Sequence, residues 1–313
     1  MNQSSLASLF GMSLSRRSLA QRAAIASAGA GLALTAGGTR FALAHQDGTP
    51  EDAYPEVVVV AREMEFEVAE SIEGGFVRVT LDNQGTLDHH VMLMRANDGV
   101  PIEDVLAALA EPSFDAVFAV ATSLGGPAAG PGLSASVIVD LPAGSYVLIC
   151  AIPGPDGMPH YQMGMQAVVE VTEPAEALEA PVADATVELM EMMFHGMGDT
   201  FAAGPATWEV VNAGAAIHEL LVMQLAEGFT SNMFLELVLA PPTEATPGAE
   251  AATPAGPPPF AVIGGVAPMN PGETNYLPLE LVAGEYVAIC FVPDPETGAP
   301  HAALGMVMPF VVE

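Results

Sequence analysis

Lysine is absent from this sequence, and arginine is rare. All seven arginines lie within the first 95 residues, whereas 38 aspartates and glutamates are spread over the chain. A surface with so few cations has no basic patch with which to bind nucleic acid or an anionic membrane, so neither is an expected partner. It suits a basic protein partner, or a salt-rich or acidic medium outside the cell. The simplest interpretation is an acid-biased soluble surface without a specific partner.

Long helical runs are also scarce. The 31 glycines and 27 prolines divide the chain into many short segments, which favours strands and turns. At 313 residues, half of them apolar, the chain is long enough for two domains with buried cores. Beyond residue 44, no apolar run reaches the length of a membrane span, so no stable span is expected after the signal described next.

The first 44 residues have the features of an export signal rather than of a folded domain. Residues 15–19 read SRRSL, which resembles a twin-arginine signal, and a weakly apolar stretch and an Ala-Leu-Ala cleavage site at 42–44 follow it. Cleavage there predicts a chain that begins at His45 and is exported to the periplasm, the cell surface or the medium. An uncleaved signal that anchors the chain is the alternative.

The remainder of the sequence repeats itself. A gap-free alignment places Met64 opposite Met193 and His89 opposite His218, and both copies contain Asn-x-Gly before the histidine. Further on, LPAGSYVLIC in the first copy matches LVAGEYVAIC in the second. The second copy carries a Pro- and Ala-rich insertion at 241–259, which has the composition of a disordered loop. The repeat predicts a first domain at 45–173, a linker at 174–184 and a second domain at 185–313.

Each copy has the pattern of a β-sandwich. In FVRVTL at 76–81, alternation places Val77, Val79 and Leu81 on one face of a strand. Similar short runs, bounded by Gly and Pro, predict strands at 135–141, 145–150, 165–171, 207–211, 220–224, 276–281, 286–290 and 306–312. Each copy also has one short helical pattern, at 102–110 and at 231–239. Several strands at regular spacing predict an all-β chain of two sandwiches with short helical insertions.

Each copy contains one cysteine, and a histidine and a methionine follow it at nearly the same spacing. The first copy reads C-x9-H-x4-M and the second C-x10-H-x4-M. With the upstream histidine, the two candidate metal-ligand sets are His89, Cys150, His160 and Met165, and His218, Cys290, His301 and Met306. Thiolate and thioether stabilise Cu⁺ while imidazole serves both oxidation states, so two histidines, a cysteine and a weak axial methionine fit type 1 copper.

The whole pattern is Asn-x-Gly…His, then Gly-x-Tyr-x-x-x-Cys…Pro-His-x-x-x-Gly-Met. It resembles the cupredoxins, the family of plastocyanin, azurin and the blue-copper domains of copper oxidases and nitrite reductase. The resemblance covers nearly all of the chain after the signal, twice. It implies two tandem Greek-key sandwiches with copper near one end of each. It also implies a first histidine at a strand start and the other three ligands in the loop between the last two strands.

The chain departs from the family in two ways. Both Cys-to-His loops are longer than in small electron carriers and nearer to those of nitrite-reductase-like domains. The position after the first histidine, often Asn in the family, is His90 in one copy and Glu219 in the other. His90 is interpreted as a surface residue, with an electron port at the solvent edge or a spare ligand as alternatives.

Other patterns allow weaker interpretations. A disulfide is the usual expectation for two cysteines in an exported chain, but these two occupy equivalent positions in separate repeats. The stretch 190–197, MEMMFHGM, fits a methionine-type Cu⁺ site, although such methionines more often fill cores. His45 could chelate copper as an N-terminal residue.

Electron transfer without substrate chemistry is therefore the predicted function, with redox proteins as partners, basic ones included. Multicopper oxidases and nitrite reductases build a second copper centre from His-x-His pairs, and none of the seven histidines after the signal forms one. An enzyme is therefore not expected. A copper storage or delivery module and a metal-free β-sandwich that binds partners remain the alternatives.

Overall fold

The computed structural model describes residues 53–111, 114–154, 157–238 and 258–313. The predicted export signal, His45 and nearly all of the insertion at 241–259 lie outside these residues. Within them the chain forms two β-sandwiches with a few short helices, which confirms the predicted fold class. The domain boundaries and the linker stay predictions.

The first half of the structure, residues 56–172, contains eleven strands. They are β1 Glu56–Arg62, β2 Glu65–Glu67, β3 Ser71–Glu73, β4 Gly75–Asn83, β5 His89–His90, β6 Met92–Ala96, β7 Ala121–Ser123, β8 Ala128–Ala129, β9 Ser134–Leu141, β10 Gly144–Ile149 and β11 Gln166–Thr172. One face of the sandwich has the order β2-β1-β4-β9 and the other β3-β11-β10-β6-β7, while β5 pairs with β8.

The second half, residues 185–312, contains nine strands. They are β12 Ala185–Met190, β13 Met193–His195, β14 Thr200–Phe201, β15 Gly204–Asn212, β16 His218–Leu225, β17 Phe260–Met269, β18 Thr274–Leu281, β19 Gly284–Ile289 and β20 Val307–Val312. Its two faces have the orders β13-β12-β15-β18 and β14-β20-β19-β16-β17. The strand order of the first half is therefore closely followed in the second.

The strands form where side chains alternate between core and solvent. In β4, Val77, Val79 and Leu81 are buried on one face, as the alternation predicts. Neither β1 nor β12 is among the predicted strands, and each extends its sheet by pairing parallel to β4 or β15.

Within the ranges that the structure describes, three short α-helices cover the sheets: α1 Ile102–Leu109, α2 Asp115–Phe118 and α3 Ser231–Val238. The first and third confirm the predicted helical patterns, and α2 is additional. α1 buries Val105 and Leu109 in a cluster that contains Tyr161, next to the first candidate metal set. In the described ranges, every helix falls short of the length and apolarity that a membrane span requires.

The two halves share a sheet and a core. Strand β9 pairs with β18 at Ile138 and Tyr276, which joins two four-stranded faces into one sheet of eight strands. The segment at 124–130 runs antiparallel to β17, with a bridge between Leu124 and Met269. Buried residues from both sandwiches form one contiguous cluster. The halves are therefore packed against each other and do not merely follow one another along the chain.

The structure corrects one detail of the repeat. In the hairpin β1–β2, Met64 has a left-handed backbone with φ 60°, and in the hairpin β12–β13 the residue in that position is Met192, with φ 59°. The gap-free alignment of Met64 with Met193 is therefore wrong by one residue. The second half has one more residue between this hairpin and the following long strand, so the alignment is correct again at β4 and β15.

Candidate metal centres

The four predicted ligands of the first half come from three places at one end of the sandwich. His89 begins β5, and Cys150 directly follows β10. A 3₁₀ turn begins at His160, and the chain reverses at Gly164, where φ is 110°, so that Met165 directly precedes β11. The backbone N–H of Met165 donates to the carbonyl of His160 over 3.0 Å. The backbone thus holds three of the four residues within a single loop, as the resemblance implies.

The donor atoms of this first centre converge. The Nδ1 atoms of His89 and His160 lie 3.2 Å apart, and the Cys150 Sγ lies 3.5 Å from Nδ1 of His160 and 3.8 Å from Nδ1 of His89. A point in the middle of a triangle of this size is about 2 Å from each corner, which is the length of a metal–imidazole bond. All three side chains are buried. The triangle therefore has room for one metal ion and for little else.

The second centre has the same construction. His218 begins β16, Cys290 directly follows β19, and His301 begins a 3₁₀ turn that ends at Gly305, where φ is 117°. The Nδ1 atoms of His218 and His301 lie 3.1 Å apart, and the Cys290 Sγ lies 3.5 Å from Nδ1 of His301. In each half, the donor atoms of the two histidines and the cysteine all lie within 4.8 Å of one another.

Two such groups occur in the described part of the chain, and each consists of the two histidines and the cysteine of a predicted set. Met165 and Met306 are fully buried and lie in the same core cluster as the two cysteines. Both cysteines are free thiols, so they form no disulfide with each other. The structure brings the two histidines and the cysteine of each predicted set together, and the binding of a metal and the role of the methionines stay predictions.

Burial of the two centres favours the uncharged forms of their donor groups. Burial lowers the pKa of His89 to about 3 and that of His218 to about 4, with the second imidazole of each centre adding to the effect. Neutral imidazoles keep a lone pair for a metal. Burial raises the pKa of Cys150 to about 12, against the N–H groups of His90 and Ile152, which favour the thiolate. A cation that binds here therefore displaces the thiol proton.

The residue after the first histidine connects the two ligand strands in both halves. His90 is buried, and its Nε2 accepts a hydrogen bond of 2.8 Å from the N–H of Ala151, the residue after Cys150. The interpretation of His90 as a surface residue is therefore wrong. In the second half, Glu219 is also buried, and its Oε1 accepts a bond of 2.7 Å from the N–H of Phe291.

A carboxylate behind each first histidine was not predicted. Glu63 accepts the N–H of Thr86, and Glu191 accepts those of Ala215 and Ala216. Each carboxylate lies in a hairpin turn, directly after β1 or β12, and accepts hydrogen bonds from the turn that precedes the first histidine.

Glycine keeps the space between carboxylate and imidazole open. A Cβ on Gly85 would lie 3.0 Å from Nε2 of His89 and 3.2 Å from Oε1 of Glu63, and a Cβ on Gly214 would approach Nε2 of His218 as closely. Among the described residues, neither of these Nε2 atoms has a hydrogen-bond partner. The Asn-x-Gly motif thus leaves a small polar space behind each first histidine. The repeated Glu-Met pair that precedes this space, at 63–64 and 191–192, is the signal that the gap-free alignment hides.

No family model matches this sequence, and no curated protein matches it. Among solved structures, it is similar to dithionite-reduced auracyanin from Roseiflexus castenholzii, with 21% identity, 37% of this chain and 96% of that chain covered, and a TM-score of 0.25. It is also similar to auracyanin B, with 25% identity, 43% and 96% covered, and a TM-score of 0.25. A copper-containing nitrite reductase from Thermus scotoductus shares 13% identity, with 82% and 61% covered and a TM-score of 0.22. Likeness at this level assigns no function to this chain.

Proposed function

We propose that this chain is an electron-transfer protein that holds one type 1 copper ion in each half. The observation that carries the proposal is the convergence, twice, of two imidazole nitrogens and one cysteine sulfur in a buried triangle. A trigonal set of two histidines and a cysteine, with a methionine as weak axial donor, is the donor set of blue copper. Copper in such a set supplies a one-electron couple between Cu⁺ and Cu²⁺.

The predicted cysteine, histidine and methionine ligands have different roles at each site. Cys150 and Cys290 would hold the ion as thiolates, together with the two imidazoles of each half. The buried Met165 and Met306 would serve as further, weaker donors. The loop hydrogen bonds and the packed core hold these side chains in place, which would limit rearrangement when the oxidation state changes.

Burial protects the centres from water. At most 1% of the surface of each histidine in the two sets is exposed: His89, His160, His218 and His301. A dry, rigid site disfavours side reactions of the bound ion and limits exchange of ligands. These properties fit a carrier better than a site where substrate must bind directly to the metal.

We propose no catalytic centre. Of the histidines outside the two sets, His90 is hydrogen bonded to the Cys150 loop, His195 contacts Glu188, and His45 lies outside the described residues. Storage and delivery of copper, or partner binding without metal, are the competing functions, and the experiment below separates them.

Export through the twin-arginine signal and transfer of electrons to or from other redox proteins complete the proposal. The excess of acidic residues supports basic redox proteins as partners, because complementary charge speeds the encounter of two proteins.

The visible and EPR spectra of the purified chain after loading with Cu²⁺ test the proposal, with copper counted per chain. We expect an intense thiolate-to-copper band, narrow hyperfine splitting and about two coppers per chain. The matched control is a Cys150→Ser, Cys290→Ser double variant, which should lack the band. Weak Cu²⁺ absorption alone in the parent chain would overturn the electron-carrier function. Tight Cu⁺ binding with slow electron exchange would indicate delivery, and no binding would indicate a partner-binding protein.

A further inference from the structure

The hairpin β12–β13 displays soft donor atoms on its solvent-facing side. Its register places Glu188 opposite His195 and Met190 opposite Met193. The alternating residues between them, Leu189 and Phe194, point into the core, so these four side chains share the outer face.

These methionines do not fill the core. Met193 is 51% exposed and Met190 is half-buried, whereas Met197 two residues past the hairpin is buried. The cross-strand positions of an antiparallel pair lie about 5 Å apart at Cβ, so long side chains on both can reach one ion. An exposed thioether that faces a half-buried one across the strand pair offers two soft donors to a soft metal ion.

The imidazole of His195 is already oriented as a metal ligand would be. Its Nδ1 lies 2.7 Å from Oε2 of Glu188 across the strand pair. A carboxylate that accepts the N–H of one ring nitrogen fixes the tautomer and leaves the lone pair of the other nitrogen for a metal, and this arrangement recurs behind metal-binding histidines.

The equivalent hairpin of the first half shows that side chains at these positions meet. There, Arg62 and Glu67 occupy the positions of Met190 and His195, and Arg62 Nη1 lies 2.6 Å from Oε2 of Glu67. The first half therefore has an ion pair where the second half has a thioether and an imidazole.

The hairpin ends beside the second metal centre. Glu191 lies in the turn of this hairpin, and its carboxylate accepts hydrogen bonds from backbone N–H groups of the loop that precedes His218. The carbonyl of Met192 lies 3.6 Å from where a Cβ on Gly305 would stand, next to Met306. The outer face thus begins at the turn that covers the ligand loops of this centre.

We propose that Met190, Met193 and His195 form a surface site for Cu⁺, with Glu188 orienting the imidazole. The site lies outside both predicted ligand sets, and its binding of Cu⁺ does not depend on the electron-transfer function. Two thioethers and one imidazole select Cu⁺ over the hard cations of the medium.

Anaerobic titration of the full chain with Cu⁺ tests the site, against a chromogenic Cu⁺ chelator as competitor. The chain is first loaded and reduced, so that the two buried centres are filled. We expect one further equivalent in the parent, and its loss in a Met190→Leu, Met193→Leu double variant. Leucine keeps the volume and the apolar character of methionine, so the hairpin should fold. His195→Gln and Glu188→Gln should each weaken the added equivalent by about tenfold or more.

The matched control is Met233→Leu, because Met233 is an exposed methionine in α3, away from the hairpin. It should keep the added equivalent. A direct readout is the shift of ¹³C-labelled methionine methyl signals, which should move for Met190 and Met193 on addition of Cu⁺. Persistence of the equivalent in the double variant, or its absence from the parent, would overturn the site. If the buried centres fail to fill, the difference of one equivalent between parent and double variant is still measurable.

Discussion

In both halves of the molecule, the backbone N–H after the cysteine donates a hydrogen bond to a buried side chain, but the type of that side chain differs. The N–H of the residue after the cysteine donates to a buried imidazole at His90 in the first half and to a buried carboxyl at Glu219 in the second. An acceptor facing that N–H is what the architecture requires, and the residue type is free to vary. The difference places a buried carboxyl beside the cysteine of the second centre, at a position where the first centre has an imidazole.

The hairpins that cover the two centres differ in the same way. Their backbones match down to the left-handed methionine, but an ion pair on one outer face corresponds to thioether and imidazole groups on the other. The fold is therefore repeated more faithfully than the chemistry on it, and the halves need not have the same role.

The largest expected effect comes from removing one thiolate at a time. Cys150→Ser and Cys290→Ser should each reduce the bound copper from about two to about one per chain and leave a blue band from the other half. Optical and EPR spectra of the two single variants then give the separate spectra of the two centres. A single variant that loses both bands, or neither, would show that the halves do not bind independently.

The cores of the halves should differ in their sensitivity to truncation. Trp208 is fully buried against Phe201 and Phe310, and its counterpart in the first half is Val79. Trp208→Ala should lower the free energy of unfolding by about 3–5 kcal/mol, because it leaves a large cavity. Val79→Ala removes two carbons and should cost less. Denaturant unfolding followed by circular dichroism measures both, and equal costs would contradict this comparison.

Replacing the residue after the first histidine with glutamine should shift the reduction potential of the second centre more than that of the first. Glu219→Gln keeps an acceptor for the N–H of Phe291 but removes a carboxyl group near Cys290. Burial raises the pKa of Glu219 to about 7, so the lost charge counts in measurements made above pH 7. We expect the potential of the second centre to rise by tens of millivolts, the size of a partly screened charge interaction. His90→Gln exchanges one neutral acceptor for another and serves as the control, with a smaller shift. Spectroelectrochemistry of each variant measures these potentials. Equal shifts in the two variants would contradict the predicted effect of the Glu219 charge.

In each half, a tyrosine hydroxyl bonds to the backbone four residues earlier in the chain, and the second half has one additional bond. Tyr146 and Tyr286 each donate over 2.8 Å to the carbonyl four residues earlier, and Tyr286 also accepts the N–H of Val282. The first half has Pro142 at that position, which has no N–H to donate. Each Tyr→Phe change should cost about 1 kcal/mol in unfolding free energy, and Tyr286→Phe somewhat more. A larger cost for Tyr146→Phe, measured by denaturant unfolding, would argue against this account.

The smallest expected effect concerns the crevice between the halves, which Glu273 lines together with Arg95. Burial raises the pKa of Glu273, and Arg95 opposes this. The unfolded chain therefore releases this proton at lower pH than the folded chain, so the unfolding free energy decreases as pH rises through the carboxyl range. Glu273→Gln should remove that dependence and give a small gain at pH 7 over pH 4. Glu296→Gln, at an exposed carboxylate, is the control and should show no such gain.

Short-range patterns predicted much of the fold and of the centres. Alternation located β4, and the spacing from Cys150 to Met165 placed three candidate ligands in one loop, because a short covalent span leaves few arrangements between two paired strands. The same spacing predicted the second centre. The one-residue error at Met64 arose because the second copy offers four methionines, at 190, 192, 193 and 197, to match the single Met64 of the first.

Long-range features could not be predicted in this way. Nothing in the sequence near His90 shows that its side chain faces the N–H of Ala151, since the two residues meet only when β6 and β10 pair. The joining of β9 to β18 likewise depends on which strand edges remain unpaired after each sandwich closes. The composition of residues 190–197 already suggested a Cu⁺ site, but only the register of β12–β13 shows which of its side chains share one face.

By itself, the sequence determined the all-β class, the repeat, the candidate ligands and the acidic character, because these depend on composition and on spacing along a covalent chain. The tertiary structure alone decided that Nδ1 of His89 lies 3.8 Å from Sγ of Cys150, that Glu63 and Glu191 stand behind the first histidines, and that the halves share one core. Those relations arise from the packing of residues far apart in the chain. Packing depends on the shape of all the neighbours together, which no local pattern contains.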